Sequence, residues 1–379
     1  MLYLKLNHIN YLKMITSSYM PSGKIIALFF VCMFLFSACK QNEKSTETTS
    51  PDVISEKIEP MSIRNNYIPK TISLEAQKIL KAVYASKMYE RSFPAADDLE
   101  GWRKTHAAAE NAKKEPNAKV VAQYGATVKA DTLGGTPVVH IYPKDWKDNG
   151  KVLIYTHGGA YTLFSAWSTL NSAVPMATTT GLHVISVDYT TAPFGTWEKV
   201  QAEVVAVFKD LLISGYKMKD IGIYGDSAGG GLAMSTVLNL RDAGLGTPAV
   251  AVLMSPWADI SDNGDTYHTL ENTDPSLQFA TLLKSSAMAY AGGLELTDPR
   301  VSPVYGDFSK GFSPTMITEG TKCIFLSNSV RTYQAIEAAG VETKLDIYEG
   351  MWHVFQLTPM PESTVCFNKM ATFINKHLK

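Results

Sequence analysis

Gly225-Asp226-Ser227-Ala228-Gly229 sets a serine between two glycines. The G-x-S-x-G spacing suits a nucleophile: a sharp strand-to-helix turn pushes the hydroxyl clear of the backbone, and small neighbours remove the clash at that turn. A glycine turn with a purely structural role is the alternative. The flanks favour the nucleophile, because the apolar run Ile221–Tyr224 precedes the motif and a helical pattern follows it. A serine hydroxyl needs a base to take its proton. Of the eight histidines, His353 alone falls after the last expected strand and before the last expected helix. It is the natural general base, with a buried structural histidine as the bland alternative.

These groups need strands to end beneath them and a helix to follow the serine. Apolar runs predict strands at Val152–Tyr155, His183–Val187, Ile221–Tyr224, Ala249–Met254, Thr315–Thr318 and Lys344–Tyr348. Helical patterns are expected near 166–180, 198–213, 228–243, 328–340 and 363–378. Such alternation predicts an α/β fold, a mainly parallel sheet with helices on both faces. Two further runs, Val120–Val128 and Thr136–Tyr142, flank Asp131–Gly135 as a hairpin. Upstream, Ser73 can cap a helix whose stripe is Ala76, Ile79, Leu80 and Val83. A second helix is expected from Asp97, with Glu100 as capping-box partner and Leu99, Trp102 and His106 on one side. The turn-rich stretch 256–314 suggests an insertion near the site.

His157-Gly158-Gly159-Ala160-Tyr161 resembles the His-Gly-Gly-Gly loop of lipases and esterases, with Ala160 in place of the third glycine. With Val187–Pro193, Gly225–Gly230, Ser255-Pro-Trp-Ala-Asp259, Ser302–Tyr305 and Glu349–His353, it makes the chain similar to the hormone-sensitive-lipase-like family of α/β-hydrolases. These segments span about residues 150 to 355 in the family's order. The resemblance implies an α/β-hydrolase fold with a helical cap at 71–118 and a catalytic domain at 119–379. It implies hydrolysis of short- to medium-chain carboxylic esters through an acyl-enzyme on Ser227, without a cofactor. Main-chain N–H groups of Gly158, Gly159 and Ala228 would form the oxyanion hole, and His157 would hold the loop rather than move protons. The family's acid follows the strand at Thr315–Thr318, and that slot holds Cys323. A thiol, mostly neutral at pH 7, is poorly suited to holding an imidazolium. Glu319 and Asp259 are the nearby carboxylates that could substitute, and the third member stays open. A glycan or small-molecule O-deacetylase of the same fold is equally compatible. A degenerate hydrolase serving as a binding protein is the rival that Cys323 motivates, against which Ser227, His353 and the glycine pair all stand intact.

The whole composition agrees with a globular enzyme. The chain has 379 residues, 45% hydrophobic and 19% charged, with 35 basic and 36 acidic side chains and a net charge of −1. Such balance lacks the basic footprint of a nucleic-acid binder. The four cysteines, Cys32, Cys39, Cys323 and Cys366, form no Cys-x-x-Cys pair. No His-Glu-x-x-His helix or dinucleotide fingerprint is present either, so neither metal nor nucleotide chemistry is expected. Near the start, the uncharged run Ile25–Ala38 follows Lys24 and ends at Cys39. It is shorter than the roughly 20 residues of a membrane span, which favours a secretory leader over residues 1–38, its true start possible at Met20. Phe36-Ser-Ala-Cys39 resembles a bacterial lipoprotein cleavage box. That implies a lipidated Cys39, a polar tether over 39–70 and a membrane-anchored place in the cell envelope; an ordinary signal peptide cut after Ala38 is the alternative. The expected partners are a small-molecule ester and a membrane, with no nucleic acid and the oligomeric state left open.

Overall fold

The computed structural model describes residues 64–378. The expected leader, Cys39 and most of the expected tether lie outside the described residues. The strands are β1 (Thr127–Leu133), β2 (Thr136–Tyr142), β3 (Val152–Thr156), β4 (His183–Val187), β5 (Ile221–Asp226), β6 (Val250–Met254), β7 (Thr315–Gly320) and β8 (Thr343–Tyr348). They form one sheet in the order β1-β2-β4-β3-β5-β6-β7-β8. Only β2 runs against its neighbours; every pair from β4 to β8 is parallel. The helices are α1 (Leu74–Ser86), α2 (Leu99–Tyr124), α3 (Leu170–Thr180), α4 (Trp197–Ile213), α5 (Ala228–Asp242), the short α6 (Thr266–Thr269), α7 (Lys284–Ala291), α8 (Leu326–Ala338) and α9 (Pro361–His377).

The central strands β3 to β7 are buried along their whole length, and β3, β4 and β6 read as largely apolar runs, because both faces of the sheet are covered there. Along β3, Val152 and Ile154 enter one core layer with α4, α5 and α8. Leu153 and Tyr155 enter the other, with α1, α3 and α9. The chain leaves β3 through α3 to reach β4, then returns through α4 past β3 to start β5. Strand order therefore reverses between β3 and β5. Outside the carboxyl ends of two such strands the crossovers diverge and open a crevice.

Two upstream expectations shift. Helix α2 runs to Tyr124, where a strand from Val120 was expected, and Gly125 ends it in a left-handed conformation at φ 62°. Val120, Val121 and Tyr124 pack against the second core layer as one helical face. Its cap is Asp98 rather than Asp97: the Asp98 carboxylate accepts from the Gly101 N–H at 2.8 Å. That displaces Glu100 from capping-box register, and it lies instead near Arg103 and Lys104. Of the expected apolar side, Trp102 is buried and Leu99 is exposed. Helix α2 meets the segment Phe164–Trp167 through polar contacts. His106 Nε2 donates to Phe164 O at 2.8 Å, Asn117 Nδ2 donates to Trp167 O at 3.0 Å, and Ser165 Oγ donates to Glu110 at 2.7 Å. The N-terminal helical region thus grips the segment that continues from the His157 loop.

Candidate active site

Ser227 sits between the end of β5 and the first residue of α5, at φ 54° and ψ −125°. This conformation is strained for a residue with a side chain and persists only where its surroundings over-determine it. Here they do. Ser227 N donates to Met254 O at 2.8 Å, and its carbonyl accepts from the N–H groups of Gly230, Gly231 and Trp257 at 2.8 to 3.2 Å. The two motif glycines let the elbow press against β3: a Cβ on Gly229 would stand 2.0 Å from Thr156 O, and one on Gly225 would stand 2.2 Å from Gly229 O. Ser227 itself is 7% exposed.

His353 comes from the loop after β8 and lies 2.9 Å from Ser227 Oγ through Nε2. Val354 beside it is left-handed at φ 45°, and its N–H donates to Ser255 Oγ at 3.2 Å, which pins the loop to the end of β6. The edge of the imidazole meets the Phe325 ring. Burial pushes His353 down to about 3, so the ring is neutral at ordinary pH. A neutral ring at hydrogen-bond distance can accept the hydroxyl proton.

The third position is occupied as its spacing predicts. Cys323 Sγ lies 3.3 Å from His353 Nδ1, at the opposite end of the ring from Ser227. The Phe325 N–H points at the same sulfur at 3.4 Å. Burial, then the nearby Glu319 and Asp274 carboxylates, push the thiol well above its usual range, so it is neutral. Glu319, buried at the end of β7, lies behind it. Its Oε1 accepts from the Gly320 N–H and its Oε2 from Ser329 Oγ, both at 2.9 Å. Burial raises the carboxyl to about 7, against the pull of these two donors and of the neighbouring Ser255 and Cys323 side chains. Asp259, the other expected substitute, is not brought to the imidazole. Its carboxylate binds Arg331 at 2.6 Å, Tyr305 at 2.9 Å and Ser261, which makes it a structural anchor between the insertion and α8. Asp274 was not foreseen. From the insertion it accepts the Ile324 N–H at 3.0 Å and fixes the Cys323 loop across a separation of 50 residues. Cys323 and Cys366 are both free thiols.

The His157 loop follows β3, next to the elbow. Asp226 ties the two together, its Oδ1 accepting from Tyr155 OH at 2.5 Å and from the Gly158 N–H at 3.2 Å. Burial holds this carboxyl up at about 6. The Gly158 amide is therefore engaged with Asp226 and is not free for an oxyanion, which corrects the expectation for that residue. The amides left are that of Gly159 and that of Ala228, which opens α5 and has no preceding helical carbonyl to bond. Gly159 adopts φ 114°, and a Cβ there would meet Leu163 O at 2.3 Å. Ala160 and Tyr161 follow in left-handed conformations at φ 53° and 63°. His157 holds this loop: Nδ1 donates to Gly158 O at 2.8 Å and the ring stacks on Tyr189 at 4.1 Å. Burial lowers it to about 4, leaving it neutral. Among the described residues no cluster of three or more His, Cys, Asp or Glu side chains has the arrangement of a metal site.

A family model described as an alpha/beta hydrolase fold matches residues 153–357, spanning β3 through the loop that carries His353. The chain is 34% identical to LipR of Mycobacterium tuberculosis over 68% of its own length and 83% of that protein's. It is 32% identical to an esterase of Acinetobacter venetianus, over 59% of this chain and 74% of the relative. It is 31% identical to an acetyl-hydrolase of Streptomyces hygroscopicus, over 55% of this chain and 69% of the relative. Among solved structures it is similar to the esterase E25, with a TM-score of 0.75, 27% identity, and coverage of 82% of this chain and 96% of that one. A hormone-sensitive lipase from a metagenome library gives a TM-score of 0.71 at 25% identity, covering 80% and 98%.

Proposed function

The chain belongs to the alpha/beta hydrolase fold family, among esterases of the hormone-sensitive-lipase type, and on that premise we propose that it cleaves carboxylic esters by a serine mechanism. Ser227 Oγ attacks the ester carbonyl while its proton passes to His353 Nε2. The carbonyl oxygen becomes an oxyanion, stabilised by the amides of Gly159 and Ala228. Collapse expels the alcohol, which takes the proton from Nε2 and leaves an acyl group on Ser227. Water then attacks the acyl carbon, gives a proton to Nε2, and the acid departs as the proton returns to Ser227. The 2.9 Å contact between Ser227 and a neutral His353 carries this reading.

Small acyl groups, of short to medium length, are the proposed substrates, and an acetyl ester is the first to try because an acetyl-hydrolase stands among the relatives. Hydrolysis of p-nitrophenyl acetate and butyrate by wild type and Ser227→Ala tests the proposal. The alanine variant should lose activity by several orders of magnitude, as removal of a serine nucleophile does elsewhere. Undiminished turnover would refute it. The apolar run ending at Cys39 supports a further proposal, that the enzyme is tethered by lipid in the cell envelope.

A further inference from the structure

Behind the Ser227–His353 pair lies a buried carboxylate to which the serine mechanism gives no task. Glu319 is wholly buried. A guanidinium meets Asp259, whereas Glu319 is met by neutral donors, the Gly320 N–H and Ser329 Oγ, with the Ser255 and Cys323 side chains beside it. An acid placed in the interior without a cationic partner is costly, and such groups gather where they serve chemistry.

The protons around the ring can be counted. A neutral imidazole carries one N–H. For Nε2 to receive the Ser227 proton it must be bare, so Nδ1 carries the hydrogen and directs it at Cys323 Sγ, 3.3 Å away. The sulfur must then accept on that side. Its own S–H has to point elsewhere, and the acceptor in reach is the Glu319 carboxylate. Distance fixes Ser227 O–H to Nε2 and Nδ1–H to Sγ, and an S–H turned toward the neighbouring Glu319 would complete one directed chain in which each donor has an acceptor.

We propose that Glu319 is a positioning residue that acts through Cys323, taking the thiol's hydrogen bond so that the sulfur holds Nδ1–H and relays negative charge to the imidazolium. This deepens the serine reading and rests on it. When the Ser227 proton reaches Nε2, the ring becomes cationic and Nδ1–H stays bonded to sulfur. The S–H bond polarises toward the carboxylate, and no covalent bond to Cys323 or Glu319 is made or broken. The proton leaves Nε2 with the alcohol, and the chain returns to its starting state. A lone thiol is a weak dipole, and an anion hydrogen-bonded behind it supplies the charge it lacks.

Several groups around Glu319 can carry charge. Cys323 faces it from the loop after β7, Asp274 reaches that loop from the insertion, and His353 approaches from the loop after β8; Ser255 after β6 and Ser329 on α8 are uncharged. Asp226, beside Ser227, is held at about 6 and Glu319 at about 7, whereas His353 stays neutral down to about 3. The rate should therefore fall on the acid side as Glu319 takes up a proton near pH 7.

The test measures kcat and KM for p-nitrophenyl acetate across pH for wild type, Glu319→Gln, Glu319→Asp, Cys323→Ala and Cys323→Ser. Glu319→Gln should lower kcat by at least about tenfold, and by no more than the roughly 10⁴ that loss of a triad acid costs, with KM little changed. It should also abolish the limb near pH 7, and Glu319→Asp should recover part of the rate. Cys323→Ser, whose hydroxyl can both accept from Nδ1–H and donate to Glu319, should exceed Cys323→Ala by at least about tenfold. A Glu319→Gln kcat within about twofold of wild type, or an unmoved acid limb in that variant, would overturn the proposal. If Glu319→Gln fails to fold, equal rates for the serine and alanine variants at Cys323 would overturn it instead. Fluorophosphonate labelling of Ser227 in wild type separates the two levels: without labelling the serine reading fails, and with labelling these variants judge Glu319 alone.

Discussion

Cys323 puts a sulfur where the family resemblance leads one to expect a carboxylate, and the consequence depends on what lies behind it. An aspartate there would face Nδ1 directly, but it would also face Glu319, and two buried carboxylates in contact share a proton rather than both ionise. Cys323→Asp alone should therefore gain little in kcat over wild type. Combined with Glu319→Gln it should recover most of the activity that Glu319→Gln loses, at least about tenfold and at most the roughly 10⁴ that a triad acid is worth, measured as kcat on p-nitrophenyl acetate. Failure of the double variant to exceed Glu319→Gln would contradict this. The chain order of Ser227, Cys323 and His353 was legible from motifs alone. Spacing presents Glu319 and Cys323 as rivals for one role, however, because it cannot show that the end of β7 and its loop stack one behind the other. Asp274 gave no signal at all, since its partner at Ile324 is distant in the chain and no motif joins them.

At the level of elements, the site depends on two loops that approach each other at the carboxyl ends of β3 and β5. Gly159 and Gly135 make a controlled comparison. Both are left-handed, at φ 114° and 82°, so an alanine carries a conformational cost at either. Only at Gly159 would the methyl also strike backbone, at Leu163 O, whereas nothing lies within 4 Å at Gly135. Gly135→Ala should cost about 1 kcal/mol of stability and leave kcat unchanged, read by thermal melting and steady-state kinetics. Gly159→Ala should displace an oxyanion donor and lower kcat by about 10²-fold or more. Equal effects at the two positions would contradict this. Strands buried on both faces announce themselves as apolar runs, which is why β3 to β7 fall where the sequence predicts within a residue or two; β8 falls there too, although it is the half-exposed edge of the sheet. The start of the sheet was harder to read. Val120 and Val121 favour a strand by residue type, yet they continue α2 because the helix packs that face on the second core layer. The Gly158 amide was equally hidden, since a donor's direction depends on Asp226 across the β3–β5 pair.

For the molecule as a whole, buried acids link folding to pH. Glu319 is raised from 4.5 to about 7, so the folded state holds its proton between those values while the unfolded chain releases it. Stability contributed by this group is thus present at low pH and lost as pH rises through about 7. The melting temperature of Glu319→Gln relative to wild type should climb between pH 5 and pH 8, by an amount equivalent to about 1–3 kcal/mol. A difference that stays constant with pH would contradict the shift. Beyond the described residues, the proposed anchor predicts a mature protein that begins at a lipid-modified Cys39 and partitions with membranes. Mass spectrometry of an unmodified N-terminus beyond that residue would rule it out. The central claim, an acyl-enzyme on Ser227 served by His353, is tested most directly by quenching the wild-type protein during turnover of p-nitrophenyl acetate and mapping the acetyl group by peptide mass spectrometry. The group should sit on Ser227, disappear as substrate is exhausted, and fail to accumulate at a comparable rate in His353→Ala. Full turnover with no acyl group on Ser227, or equal acylation without His353, would contradict it.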